Sequence, residues 1–489
     1  MRGHPLPLPR PDQSPRFLLP DWVTALLRPV THTPGTFRPM LRLAMPVLIE
    51  QVLLMLVWFS DRVLTGHYLG TAHLAAITLV TYVLWLFTGL FATVAIAATA
   101  MVARFVGAGD GRSARQVTGQ AFVLGAAIAV VATGLGFWAG PWFVRFLQLE
   151  GLSAVLADRY LAVVVPVLPL VMIQAVGIAC LRGAGDMVSG LVVMAVVNAV
   201  NVAVSWLLVL GPGPVPRLGW SGIALGTMAG FVVGGLLVLA LMVRGRAGLL
   251  LRWRLLVPDF RLIGRLLRIG IPGGADMLVV IGCQLWFLSV INRMGDLSAA
   301  AHGVAICAES LAFLPGAAFQ AAAATLAGQF LGAGDDRRAG RSVLMACVAG
   351  GGLMVVAGLL FLGLAPELVR LFVGPHQAAV AALATPLLRI VSVGIPALAV
   401  TMILSGGLRG AGDTRWPMAA SLTGLLGVRL PLAYWLGFDA FQLPWVEVPL
   451  AGMGFGVIGA WYAMVLDLWL RAAILAARFW HGGWKRVAV

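Results

Sequence analysis

Lysine is all but missing from this chain. Lys485 is the only one among 489 residues, and arginine supplies every other basic side chain. A Walker A loop needs a lysine directly after its glycine turn, so an ATPase of that type is excluded. Cysteine is nearly as scarce. Cys180, Cys283, Cys307 and Cys347 lie in or beside apolar runs, and no two form a CxxC pair. That spacing excludes a zinc ribbon or redox dithiol and leaves small buried hydrophobes as their reading. The seven histidines form no HxxxD or HExxH arrangement, which argues against a membrane-embedded acyl or glycosyl transferase. Charge is the third shortage. Only 11% of residues are charged, against about 25% in a soluble domain.

Long apolar runs take the place of charge. About 20 mostly apolar residues span the hydrocarbon core as a helix. The breaks between runs predict an all-α polytopic membrane protein with twelve spans, at 43–66, 75–102, 117–141, 158–181, 187–210, 220–243, 268–291, 299–330, 342–365, 380–407, 415–437 and 453–476. The opening MRGHPLPLPRPDQSPRF is Pro-rich and lacks a signal-peptide core. The expected organisation is a cytoplasmic tail (1–38), a six-helix bundle (39–246), a basic linker (247–265), a second six-helix bundle (266–478) and a cytoplasmic tail (479–489).

The formal charge of +15 would suggest nucleic acid in a soluble chain. Here it maps onto one side of a membrane. Of the 34 basic residues, 26 fall in the tails and in alternate loops, and eight fall elsewhere. By the positive-inside rule both termini are expected in the cytoplasm of a bacterial plasma (inner) membrane protein. No nucleic-acid partner is expected, and the chain is read as a monomer in the bilayer.

The two halves repeat each other. LAMPVLIEQ (43–51) answers IGIPGGADM (269–277), matching Pro46 with Pro272 and Glu50 with Asp276. VGAGDGRSA (106–114) answers LGAGDDRRA (331–339), and LRGAGD occurs at both 181–186 and 408–413. The offsets are nearly constant, which means duplication. Six spans per half make the repeats parallel, related by a pseudo-two-fold axis along the membrane normal. That is the architecture of a secondary transporter that rocks around a central cleft.

At these residues the chain resembles the multidrug and toxic compound extrusion (MATE) family, prokaryotic type. The resemblance covers about residues 40–478. It is carried by the P-x-x-x-E opening the first span, FSDRVLTGHYLG closing it, the paired GAGD and LRGAGD loops, and AESLAFLPGAAFQAAAATLAGQFLGAGD. It implies a cation-coupled antiporter that exports amphipathic, often cationic, organic compounds. No cofactor is implied beyond a coupling ion, H⁺ or Na⁺. A lipid-linked precursor flippase of the same broad fold group is an alternative. It predicts a large basic cavity and often fourteen spans, which this sequence does not offer.

An ionised side chain inside a span costs roughly 2.5–3.5 kcal/mol, so each needs a reason. The acids within spans are Glu50, Asp61, Asp276, Glu309 and Asp467. Glu50 and Asp61 are eleven residues apart, which puts both on one helix face about 16 Å apart. Pro46 removes a hydrogen bond below Glu50 and invites a bend. This face suits a cation pathway. The resemblance implies that Asp61 belongs to a cation-linked network with an asparagine, here Asn201, and a threonine, here Thr227. Where the family places an aspartate four residues after the asparagine, this chain has Ser205. The lost negative charge favours H⁺ over Na⁺. In the second half, many relatives carry a glutamate where this chain has Val280. The C-lobe candidates here are Asp276, Glu309 and Arg429, the last as partner for an acid. Asp467 and Arg471, spaced i,i+4, read as a local ion pair. Trp58, Phe59, Trp286 and Phe287 are candidate contacts for a lipophilic cation through stacking and cation–π attraction. Asp186 and Asp413 are expected to cap the helices that follow them.

Overall fold

The computed structural model describes residues 35–69, 71–146, 151–373, 377–441 and 450–489. Most of the expected N-terminal tail and the side chain of Trp58 lie outside the described residues. Among those described, twelve helices are long and apolar enough to cross a membrane. The first six are Phe37–Gly66, Ala76–Gly107, Gly111–Trp138, Gly151–Gly183, Met187–Leu210 and Trp220–Val243. The second six are Phe260–Asn292, Asp296–Gly332, Asp336–Gly363, Ala378–Gly410, Arg415–Gly437 and Gly456–His481. All twelve expected spans are present, because in lipid a helix alone satisfies its own backbone hydrogen bonds within one segment. Pro46, Pro272, Pro315, Pro386 and Pro396 sit inside helices without ending them. Two irregularities interrupt the pattern: a 3₁₀ turn at Val165–Val167 within the fourth span, and a π-helical stretch at Leu422–Arg429 within the eleventh.

Contacts across the halves obey the repeat. The second span packs on the seventh, the eighth packs on the first, and the second and eighth meet each other. Each half has its own hydrophobic core. A third core lies at the LRGAGD end and mixes the two, joining Met40, Leu43 and Val47 of the first span to Phe319, Leu326 and Trp484.

The GAGD motif occurs four times, at 107–110, 183–186, 332–335 and 410–413, and each part has a separate job. The second glycine takes a left-handed φ each time: +74° at Gly109, +91° at Gly185, +76° at Gly334 and +90° at Gly412. The aspartate amide then bonds back to the carbonyl five residues earlier, as Asp186 does to Leu181 at 2.9 Å. This closes the helix C-terminus. Three of the four carboxylates cap the next helix, accepting from Ser113 N, Ser189 N and Arg338 N at 2.9–3.0 Å. The Ser113 hydrogen bonds hold the Asp110 carboxyl below the usual carboxylate range. Asp413 is the exception. Its carboxylate is taken by Arg478 at 2.8 Å, and it makes no cap hydrogen bond.

In two of the four copies the first glycine lets backbones touch across the seam. A methyl group at Gly107 would sit 2.0 Å from the Gln329 carbonyl oxygen, and one at Gly332 would sit 2.0 Å from that of Arg104. Gln329 Nε2 also donates to Gly183 O, and Thr325 Oγ1 to Arg182 O, both at 2.9 Å. The two lobes are therefore closed on each other at the LRGAGD end. Gly332→Leu is expected to wedge this end open. With the native cysteines replaced, a cysteine at Ala103, which packs on Gly328, should react at least several-fold faster with a maleimide. Unchanged labelling would mean that this contact does not hold the seam.

Candidate functional site

The two acids of the first span face different surroundings. Glu50 is buried at the LRGAGD half of the helix, where Arg182 Nη2 donates to its Oε1 at 2.7 Å. Asp276, its counterpart in the repeat, is held the same way by Arg409. Each LRGAGD arginine thus reaches back to brace the acid on the first helix of its own half. The shared helix face expected of Glu50 and Asp61 does not become a shared site.

Asp61 lies towards the other end of the first span, in the wall of a cavity of about 790 Å³ counted out to its open mouth. The second, fourth, fifth and sixth spans complete the wall. Asn201 Nδ2 donates to Thr227 Oγ1 at 3.2 Å, and the Tyr160 hydroxyl shares a 2.8 Å hydrogen bond with the same oxygen. Asn198, one turn from Asn201, faces the cavity too. Asp61, Asn201 and Thr227 therefore come together as expected. Ser205 does not line the cavity. It is fully buried against Gly226, where a methyl group would lie 2.0 Å from its Oγ. Tyr160 and Asn198 were missed. The NAVN spacing, two amides at i,i+3 in an apolar run, was the available signal for Asn198. Tyr160 carried none beyond being one of five tyrosines.

The cavity is mostly apolar, with Thr81, Tyr160, Asn198, Asn201 and Thr227 as its neutral polar groups, and it leaves its carboxylate uncompensated. Among the described residues no ion pair reaches Asp61, although Arg62 lines the same cavity. Asp61 Oδ1, Asn201 Oδ1 and Asn198 Nδ2 are buried without a protein hydrogen-bond partner. Each such atom costs about 1–3 kcal/mol. A proton or a cation at Asp61 would supply the partner that the protein does not.

The second lobe is wired differently. Arg429, on the π-helical stretch, finds its acid in Asp467, which is wholly buried. Arg471 binds the same oxygen at 2.8 Å, so the expected local pair is one arm of a three-charge cluster. Gln284 Oε1 accepts from Arg429 at 3.0 Å, and the guanidinium lies 5.6 Å from the Phe287 ring. Gly424 makes room, since a methyl group there would meet Asp467 Oδ1 at 2.1 Å. Glu309 feels the Arg429 charge without an ion pair to it. Phe287 is 2% exposed and belongs to the core, while Phe59 and Trp286 are exposed. Trp286 Nε1 donates to the Tyr434 hydroxyl at 3.2 Å. No group of three His, Cys, Asp or Glu side chains comes together among the described residues.

A family model described as MatE matches residues 46–207 and 272–435, one segment in each half. A probable multidrug resistance protein NorM of Thermotoga maritima is 27% identical over 94% of this chain and 96% of its own length. A Rhizobium meliloti protein of the same name is 28% identical over 92% and 94%. Among solved structures, an outward-facing multidrug resistance MATE family transporter of the MOP superfamily superposes with a TM-score of 0.83. It is 19% identical and covers 95% of this chain and 99% of its own. A MOP superfamily transporter from Pyrococcus furiosus reaches 0.84 at 19% identity, covering 95% and 98%. Two halves with one pattern of helices, one pattern of seam contacts and one matching segment each establish that this chain belongs to the MatE family.

Proposed function

We propose that this protein is a secondary active antiporter that exports amphipathic, often cationic, organic compounds in exchange for a coupling ion. Asp61 is the coupling carboxylate, with Asn201 and Thr227 lining the same cavity. Tyr160 and Asn198 complete the polar wall. The reading rests on one observation above all: an acid in a membrane cavity with a buried oxygen that nothing on the protein satisfies. The relatives named for multidrug resistance support the direction and breadth of transport.

H⁺ is preferred to Na⁺. Sodium favours a site with several oxygen ligands. Here one carboxylate stands among neutral amides and hydroxyls, and Ser205 is turned away. Glu50 and Asp276 serve as arginine-braced structural acids. Glu309 and Arg429 are secondary candidates for substrate or ion contact. The protein acts as a monomer in the bacterial plasma membrane, with both termini cytoplasmic.

For an ion to drive export, it must favour one of the two lobe arrangements over the other. The test is efflux from proteoliposomes with pH and Na⁺ gradients imposed separately. Export driven by the proton gradient alone is expected. Export driven by Na⁺ alone would overturn the proton assignment, and export driven by neither would overturn antiport.

A further inference from the structure

The linker between the two lobes is a fixed ridge. Gln120 of the third span is buried and makes three hydrogen bonds to it. Its Nε2 donates to Leu255 O at 2.9 Å and Val257 O at 2.8 Å, and its Oε1 accepts from Asp259 N at 2.8 Å. Gly119 beside it lets the ridge approach, for a methyl group there would lie 2.5 Å from Leu255 O. This clamp holds Arg252 and Arg254 opposite Arg112 and Arg115, around a cleft of about 620 Å³ counted out to its open mouth.

Four guanidinium groups lining one cleft repel each other, and among the described residues no ion pair reaches any of them. Arg115 Nε is used by Gly111 O at 3.0 Å. Asp110, whose charge Arg112 feels, is engaged by the Ser113 amide. No carboxylate among the described residues therefore balances the cleft by an ion pair. Guanidinium forks match phosphate oxygens in pairs, which a lone point charge does not. The cleft also sits at the start of the third span, with Leu250 and Leu255 in its wall, and the linker and the helix it leads into carry two exposed aromatics. Trp253 is 74% exposed and Phe260 is 81% exposed. Exposed tryptophan beside arginine at a span end is the composition of a bilayer interface, and basic pockets there take anionic lipid headgroups.

We infer that this cleft binds the phosphate of an anionic phospholipid, with Arg112, Arg115, Arg252 and Arg254 as ligands and Trp253 and Phe260 against the acyl region. The site joins the third span to the interlobe linker, so an occupied headgroup would brace the joint about which the lobes move.

The test is native mass spectrometry of the full chain in detergent, incubated with phosphatidylglycerol or phosphatidylcholine. Phosphatidylglycerol should be retained at least tenfold better. Each arginine near a charged surface contributes about fivefold, so Arg252→Gln/Arg254→Gln should lower phosphatidylglycerol retention by about 25-fold. Arg337→Gln/Arg341→Gln removes the same charge elsewhere and should leave retention intact. Gln120→Leu keeps all four arginines but releases the ridge, and should lose most of the selectivity. Equal retention of both lipids, or an equal loss in the Arg337/Arg341 control, would overturn the site. Displacement of phosphatidylglycerol by millimolar inorganic phosphate would assign the cleft to free phosphate and overturn the lipid assignment.

Discussion

Proteoliposomes carrying Asp61→Asn should show no ion-driven efflux, a loss of at least 100-fold, while the protein inserts and melts like the parent. Asparagine keeps the shape and most hydrogen-bonding capacity of the side chain but can neither ionise nor exchange a proton. The loss is large because Asp61 is the one acid of the first span without an arginine. Glu50, which has Arg182, cannot take over from the opposite end of the helix. Stability should change little, or rise, because the substitution removes an uncompensated acid from a membrane cavity. Substrate binding without a gradient, read from fluorescence of a bound cationic dye, should persist. Normal dye efflux by Asp61→Asn would sink the coupling assignment. Thr227→Val is expected to weaken coupling more mildly, since it removes the oxygen on which Asn201 and Tyr160 converge.

The second large effect is on stability. Asp467→Ala should lower the melting temperature in detergent sharply, through a loss of about 3–5 kcal/mol. Asp467 holds Arg429 and Arg471 through one oxygen, so its removal leaves two buried guanidinium groups facing each other. Breaking one side of a buried ion pair costs more than the pair contributes, because the orphaned charge remains desolvated. Arg471→Met combined with Asp467→Ala should recover part of the loss, since one charge fewer is stranded. If both variants melt alike and close to the parent, water reaches the cluster and it is not a packed structural element. The π-helical stretch at 422–429 would then need another explanation, since Gly424 within it makes the space that Asp467 fills.

Much of this protein could be read before any tertiary contact was known. The twelve spans follow from hydropathy because a bilayer leaves an isolated segment few alternatives to a helix. The duplication follows from matched motifs at nearly constant offsets, and the GAGD turns from the glycines that a left-handed helix end requires. Asp61, Asn201 and Thr227 were legible through resemblance. What the sequence could not decide was which charges are paired. Glu50 meets an arginine 132 residues away, and Arg429 meets an acid 38 residues away. Helical periodicity assigns a residue to a face and is silent on what packs against that face. The same limit hid the turning of Ser205 into the fifth–sixth helix contact, the use of Asp413 by Arg478, and the arginine cleft built from the third span and the interlobe linker. One-dimensional pattern determined the helices, their repeat and their family. Only the packing of those helices, by choosing each buried charge's neighbour, decided that Glu50, Asp276 and Asp467 are paired with arginines and that Asp61 is not.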